Sequence, residues 1–355
     1  MKDIKHSTTA TDEEKENGLM DDSGGIYSPD GKRLLQMSLF GRKSKSYTVK
    51  DGTEIICDDA FMGCISLKSI VLPRSVELIG KAPFHIGTEI VSHSDRFVVK
   101  DGLFMDLEEK RLIRCVSNEK HIVVTDGIVS IDNNAFEGCR SLQSIILPDS
   151  VTAIGECGFV GCESLQSIVL SQSLASIEDW VFNGCKSLQS IVLPNSVTTI
   201  GDNAFEGCKS LQTIVLPNSL ISIGDIAFAR CESVQNIILP NSVTHIGDCA
   251  FSGCKSLQSI VLPELVTSIG DRAFAGCESL QTIVLPKSLT SIGDEAFFGC
   301  TSLQGIVIPD LVTSIGDSAF ADCKSLQTIV VPDSVISIGY GVFTGCISLQ
   351  SYITI

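Results

Sequence analysis

Cysteine is the residue type best suited to chemistry in this chain, which carries 15 of them in 355 residues. Thiolates could bind zinc, and paired thiols could form disulfides. Cys139, Cys162, Cys185, Cys208, Cys231, Cys254, Cys277, Cys300, Cys323 and Cys346 recur at an unbroken interval of 23 residues, with Cys64 outside that register. No Cys-x-x-Cys pair occurs, so the close ligand pairs on which zinc sites rely are missing. The expected role is one small buried apolar side chain per unit. His245, Cys249 and Cys254 make only a loose metal-like triple, because Cys254 belongs to the buried column.

A second column holds carboxylates: Asp179, Asp202, Asp225, Asp248, Asp271, Asp294 and Asp317. Stacked carboxylates could hold calcium. Each Asp also precedes an expected short helical turn, where an N-cap accepts backbone N–H bonds and the dipole favours negative charge. Capping is the preferred reading. The next slot holds Cys157, Trp180, Asn203, Ile226, Cys249, Arg272, Glu295 and Ser318, too varied a set for an interior position. Cys157 and Cys249 are therefore expected to be accessible thiols, which fits a reducing compartment. Trp180 is expected at the surface. Of the five histidines, His6 lies in a polar start, and a hydrolase would need acid and base groups converging around His85, His93 or His121. No His-Glu-x-x-His, phosphate loop or Gly-x-Ser-x-Gly elbow is present. The chain reads as a non-enzyme with neither cofactor nor metal.

The elements that must position these residues follow from the repeat. In the unit Phe205 to Ala227, Leu211, Ile214 and Leu216 recur in register as Leu257, Ile260, Leu262 and as Leu280, Ile283, Leu285. Leu-x-x-Ile-x-Leu is a strand signature with its apolar residues inward, and Pro217, Pro240, Pro263 and Pro286 end each strand. Leu220 and Ile223 make a second inward pair on a short arm, and Gly224 turns the chain. A unit this small cannot bury its own apolar face, so units must stack. Strand spacing sets the rise at roughly 4.8 Å per unit.

The run Leu-x-x-Ile-Val-Leu-Pro-x-Ser-Val-x-x-Ile-Gly-Asp-x-Ala-Phe-x-Gly-Cys, gapless from about Phe136 to Ile355, resembles the BspA-like leucine-rich repeat family. The resemblance implies a right-handed solenoid, frequent on the surfaces of bacteria and protists, some of whose members adhere to host matrix proteins or other cells. The expected fold is thus a repeat solenoid: a right-handed leucine-rich-repeat coil with a parallel concave β-sheet, short extended arms and short helical or 3-10 turns on the convex side.

Residues 136–355 are the regular array. Residues 23–135 are expected to form an irregular N-terminal cap with two β-hairpins, at Ile26 to Leu35 and Phe104 to Ile113, each flanking a polar turn. Residues 1–22 have little to bury and are expected to be disordered. They also lack the apolar core of a secretory signal, which points to the cytoplasm where the resemblance points to the cell surface.

The formal net charge of −16 argues against nucleic acid or anionic lipid as partners, and no stretch is long and apolar enough for a membrane span. What remains is an interaction surface. Side chains alternate across a strand, so the residues between the inward ones face outward. They include Gln189, Gln212, Gln235, Gln258 and Gln281 beside Val192, Val215, Val261 and Val284. That face is the candidate site for a protein or glycan ligand, such as host matrix or another cell surface. A solvated sheet or self-associating spacer with no ligand is the alternative. The last strand, Ser351 to Ile355, leaves Leu349, Tyr352, Ile353 and Ile355 on an open face. Weak end-to-end homodimerisation is expected there, unless the natural chain continues.

Overall fold

Each 23-residue unit winds into one turn of a parallel β-solenoid in the computed structural model, which describes residues 7–81, 84 and 87–354, with no side chain described beyond residue 350. Two compact units form: Met1–Glu119 with Gly127–Gly138, and Lys120–Asp126 with Cys139–Ile355. Among the described residues no helix is long and apolar enough to cross a membrane.

In the second unit a turn has three sides. The first is the Leu-x-x-Ile-x-Leu strand: Thr213–Val215 pairs in parallel with Ser190–Val192, and Ser259–Val261 with Thr282–Val284. The second is the short arm, where Ser222–Ile223 pairs with Thr199–Ile200 and with His245–Ile246. Inside run the columns that the spacing requires. Phe205, Phe228, Phe251, Phe274, Phe297 and Phe320 are buried and stack with ring centroids 5.2–5.5 Å apart and ring planes within 5–9° of parallel. The cysteine column lies beside them. Each thiol does more than fill space, because Cys254 Sγ donates to Phe228 O at 3.2 Å and Cys277 Sγ to Phe251 O at 3.2 Å. A buried carbonyl thereby gains a partner that an alanine could not supply.

The third side departs from expectation. It is not a helical or 3-10 turn but a run of tight turns that bond to the next coil. Ala229 N–H donates to Ile226 O (3.0 Å) and Cys231 N–H to Phe228 O (3.1 Å), while the N–H groups of Ile226, Phe228 and Arg230 donate to Asp248, Ala250 and Ser252 O at 2.7–2.8 Å. The physical reason is the slot after each Asp. Trp180, Asn203, Ile226, Cys249, Arg272, Glu295 and Ser318 all have φ between 52° and 62°, a left-handed conformation that breaks a right-handed helical turn. Ile226, β-branched, is the most strained of them. Ile226→Asn, which copies the Asn203 of the preceding turn, is expected to stabilise the protein by about 0.5–1 kcal/mol. A lower melting temperature for this variant would contradict the strain.

In the first unit the sequence hairpins form: Gly25–Tyr27 pairs antiparallel with Arg33–Met37, and Leu103–Asp106 with Arg111–Cys115. Residues 7–22 are ordered, against expectation; Met1–His6 lie outside the described residues. Thr11 and Glu14 form a reciprocal cap on the helix Asp12–Glu16, and Leu19–Met20 pairs with the first hairpin. The reason is Arg33, whose buried guanidinium pairs with Glu14 and donates to Ser7 O (3.1 Å) and Thr9 O (2.9 Å). A charge held inside the fold needs partners, and the polar start supplies them. Asp106 is likewise buried, gripped at 2.9 Å by both Nε and Nη2 of Arg96. Burial pushes the nearby Asp132 carboxyl up to about 6, although Arg111 Nη1 bonds it at 2.7 Å.

Candidate functional site

The aspartate column is a structural ladder of a different kind from helix capping. Asp202 N–H donates to Asp179 Oδ1 at 2.7 Å, Asp225 N–H to Asp202 Oδ1 at 2.7 Å, and the pattern runs on until Tyr340 N–H reaches Asp317 Oδ1 at 2.6 Å. Each carboxylate thus caps the next coil's backbone rather than its own turn. A charge-assisted bond of this type is among the stronger ones. The glycine column belongs to it: a Cβ on Gly201, Gly224, Gly247, Gly270, Gly293 or Gly316 would sit against the Oδ1 of the preceding coil's Asp. Among the described residues no three His, Cys, Asp or Glu side chains group so as to hold a metal ion.

The cysteine chemistry follows burial. All 15 cysteines are unbridged, and those of the array are buried except Cys139, Cys157, Cys249 and Cys346, which are half-buried. Burial pushes the thiols of Cys208, Cys254 and Cys300 up to about 12, where they are un-ionised at neutral pH. In native buffer a thiol reagent is expected to label those four half-buried cysteines first. The rest of the column should react only on unfolding, because the thiolate is the nucleophile. Rapid native labelling of Cys208 or Cys254, read by mass spectrometry, would contradict this.

Among the described residues the histidines do not assemble a catalytic group. His93 is exposed, His121 is exposed with Nδ1 2.8 Å from Ser144 Oγ, and His245 is exposed on its short arm. His6 and His85 lie outside the described residues.

The strand face carries the remaining candidates. Gln189, Gln212, Gln235, Gln258 and Gln281 are all exposed. Their backbones form the ladder, as where Gln258 N–H donates to Gln235 O at 2.9 Å. Beside them Val192, Val215, Val261 and Val284 are 48–63% exposed, with Ile238 at 85% and Val307 at 66%. A row of β-branched side chains facing solvent over consecutive coils is an apolar stripe on a polar sheet. At the other candidate surface, Leu349 is half-buried and Ser351–Thr354 pairs in parallel with Thr328–Val331. Ile355 and the side chains of Tyr352 and Ile353 lie outside the described part.

Two further columns of the repeat carry polar bonds and breaks in their series. At the corner after each strand, Ser196, Ser219, Ser242, Ser288 and Ser334 donate to backbone carbonyls of the preceding coil at 2.5–2.9 Å. Leu265 and Leu311 stand in that column instead, 53% and 57% exposed. In the Ser/Thr column of the strand, Asn236 and Gly305 break the series. The signal was in the sequence, as departures from its own period.

The chain matches the model of the BspA-type leucine rich repeat region in six copies, over residues 36–93, 112–235 and 221–350. It is similar to a leucine-rich repeat protein from Bacteroides ovatus, with 30% identity over 94% of this chain and 91% of that one, at a TM-score of 0.61. The pneumococcal vaccine antigen PcpA shares the fold at 19% identity, covering 93% of this chain and 82% of that one, at a TM-score of 0.50. No curated protein is similar enough to match.

Proposed function

Because the chain belongs to the BspA-type leucine-rich repeat family, we propose that it is a non-enzymatic interaction module that uses the strand face of its second unit to bind a protein partner, in the manner of an adhesin. The observation that carries this reading is the exposed stripe from Val192 to Val307. Exposed apolar side chains gain nothing from water and gain free energy only when something covers them. Isolated exposed valines need no explanation, but a stripe repeated coil after coil does. The face has no Trp, Tyr or Arg between Gln189 and Val307 in its outward columns, so affinity per coil is low and contact must extend over several coils. A protein is favoured over a glycan for the same reason, since aromatic platforms for sugar rings are missing from it.

The test is surface plasmon resonance of the protein against extracellular matrix proteins and polysaccharides. At least one matrix protein is expected to bind in the micromolar range. The double variant Val192→Asp/Val215→Asp should weaken it about tenfold, the effect of a lost contact of about 1.4 kcal/mol. No binding across the panel, together with self-association in sedimentation, would support the spacer reading instead.

A further inference from the structure

Two departures from the repeat, Gly305 and Leu311, meet in one groove on the strand face. An open groove of about 940 Å³ lies over the coils of Thr282–Val284, Gly305–Val307 and Thr328–Val331. Gly305 forms its notch, where neighbouring coils place Thr282 and Thr328. A Cβ at residue 305 would come within 3.0 Å of Thr328 Oγ1, so the glycine opens space that a serine or threonine would fill. The lining is apolar in its middle, with Val284, Val307 and Leu311 at 56%, 66% and 57% exposure.

Leu311 costs the fold something. A serine there would donate to the preceding coil's carbonyl, as Ser288 Oγ does to Val266 O at 2.8 Å and Ser334 Oγ to Val312 O at 2.8 Å. The leucine forgoes that bond and exposes an apolar side chain. Leu265 makes the same exchange two coils earlier, outside the groove lining; at Leu311 the exposed side chain borders the notch at Gly305. The rim adds charge. The corner column reads Asp149, Gln172, Asn195, Asn218, Asn241 and Glu264 in earlier coils; Lys287 and Asp310 line the groove, and Asp333 follows in the next coil. Glu264 Oε2 already accepts the Lys287 backbone N–H at 3.1 Å. Asp310 and Asp333 are both exposed at the Leu311 end, on a chain of net charge −16.

We propose that the groove at Gly305 is the anchor point of this surface and takes a peptide segment of a partner protein in which aliphatic side chains alternate with Lys or Arg. The aliphatic side chains fill the notch between Val284, Val307 and Leu311, and a cationic side chain meets Asp310 and Asp333. Complementary charge sets the encounter and orientation, while apolar anchoring in the notch holds the complex. This inference rests on the strand-face reading and narrows it to one place.

The probe is a fluorescein-labelled synthetic peptide that alternates lysine with leucine, followed by fluorescence anisotropy against the full chain. Two counterparts accompany it, one with glutamate for lysine and one with serine for leucine. Both counterparts are expected to bind at least about tenfold more weakly than the parent peptide. Leu311→Ser/Val307→Thr should lower binding of the lysine–leucine peptide by about tenfold or more, as loss of an anchor does. The same variant should melt no lower than the parent protein, because the serine introduced by Leu311→Ser would restore the corner hydrogen bond; this separates lost binding from lost folding. Asp310→Lys should weaken binding to a similar extent. Equal binding of the lysine–serine peptide, or unchanged binding to Leu311→Ser/Val307→Thr, would overturn the groove. Binding lost in Val192→Asp/Val215→Asp but kept in the groove variants would leave the strand-face reading standing without it. Indifference to every variant would remove both.

Discussion

Truncation of Phe251 to alanine is expected to cost about 3–5 kcal/mol, the range for an aromatic removed from a packed interior. Phe251 is 1% exposed and stacks between Phe228 and Phe274 with ring centroids 5.5 Å away on either side. The column is continuous, so the cavity would open between two coils that have no other aromatic to close it. In a linear array each coil is stabilised chiefly by its neighbours, so the loss should be local at first. Urea denaturation is expected to shift to lower concentration, and hydrogen exchange should quicken first in the coils flanking residue 251. Gln258→Ala, on the exposed face of the same coil, should cost under roughly 0.5 kcal/mol. Equal losses for the two variants would remove the inward assignment of Phe251 and the outward assignment of Gln258.

Gly270→Ala is the second large effect. Gly270 has no left-handed φ, so alanine brings no backbone penalty. Its new methyl would instead collide with Asp248 Oδ1, whereas the Asp248 backbone N stays 3.2 Å away. Overpacking of this kind costs about 1–3 kcal/mol. Asp248→Ala alone removes the acceptor of the 2.8 Å bond from Asp271 N–H, worth about 1.5–3 kcal/mol for a charged partner and less at an exposed site. The double variant should cost at least about 1 kcal/mol less than the two single losses combined, since the collision vanishes with the carboxylate. Additive losses in a denaturation cycle would mean that the glycine is needed for some other reason than the Asp ladder.

These two columns show how differently sequence signals translate into structure. The phenylalanine and leucine positions were readable because burial depends on residue type and period, and both are written along the chain. The aspartates were readable as important but not in their role. Capping of a local helix and capping of the next coil require the same residue before the same turn. Only the left-handed slot at Trp180, Ile226 and their equivalents distinguishes the two, and residues as dissimilar as Trp and Ile announce no such conformation. The ordered start was missed for a related reason. Residues 7–22 have almost nothing apolar to bury, and their anchor is Arg33 in a hairpin across the fold.

The sequence by itself determined the solenoid, its period, its inward columns and the outward Gln and Val rows, because each coil repeats one local pattern and parallel stacking is the only way to bury it. The tertiary structure alone decided which polar groups meet from coil to coil: thiol to Phe carbonyl, carboxylate to the next backbone N–H, corner serine to the coil before. Those bonds join residues 22 to 26 apart in the chain, and their geometry depends on the exact stagger of adjacent coils. The stagger also decided that Gly305, Val307 and Leu311 share a groove, since a departure from the repeat acquires meaning only when its neighbours above and below are known.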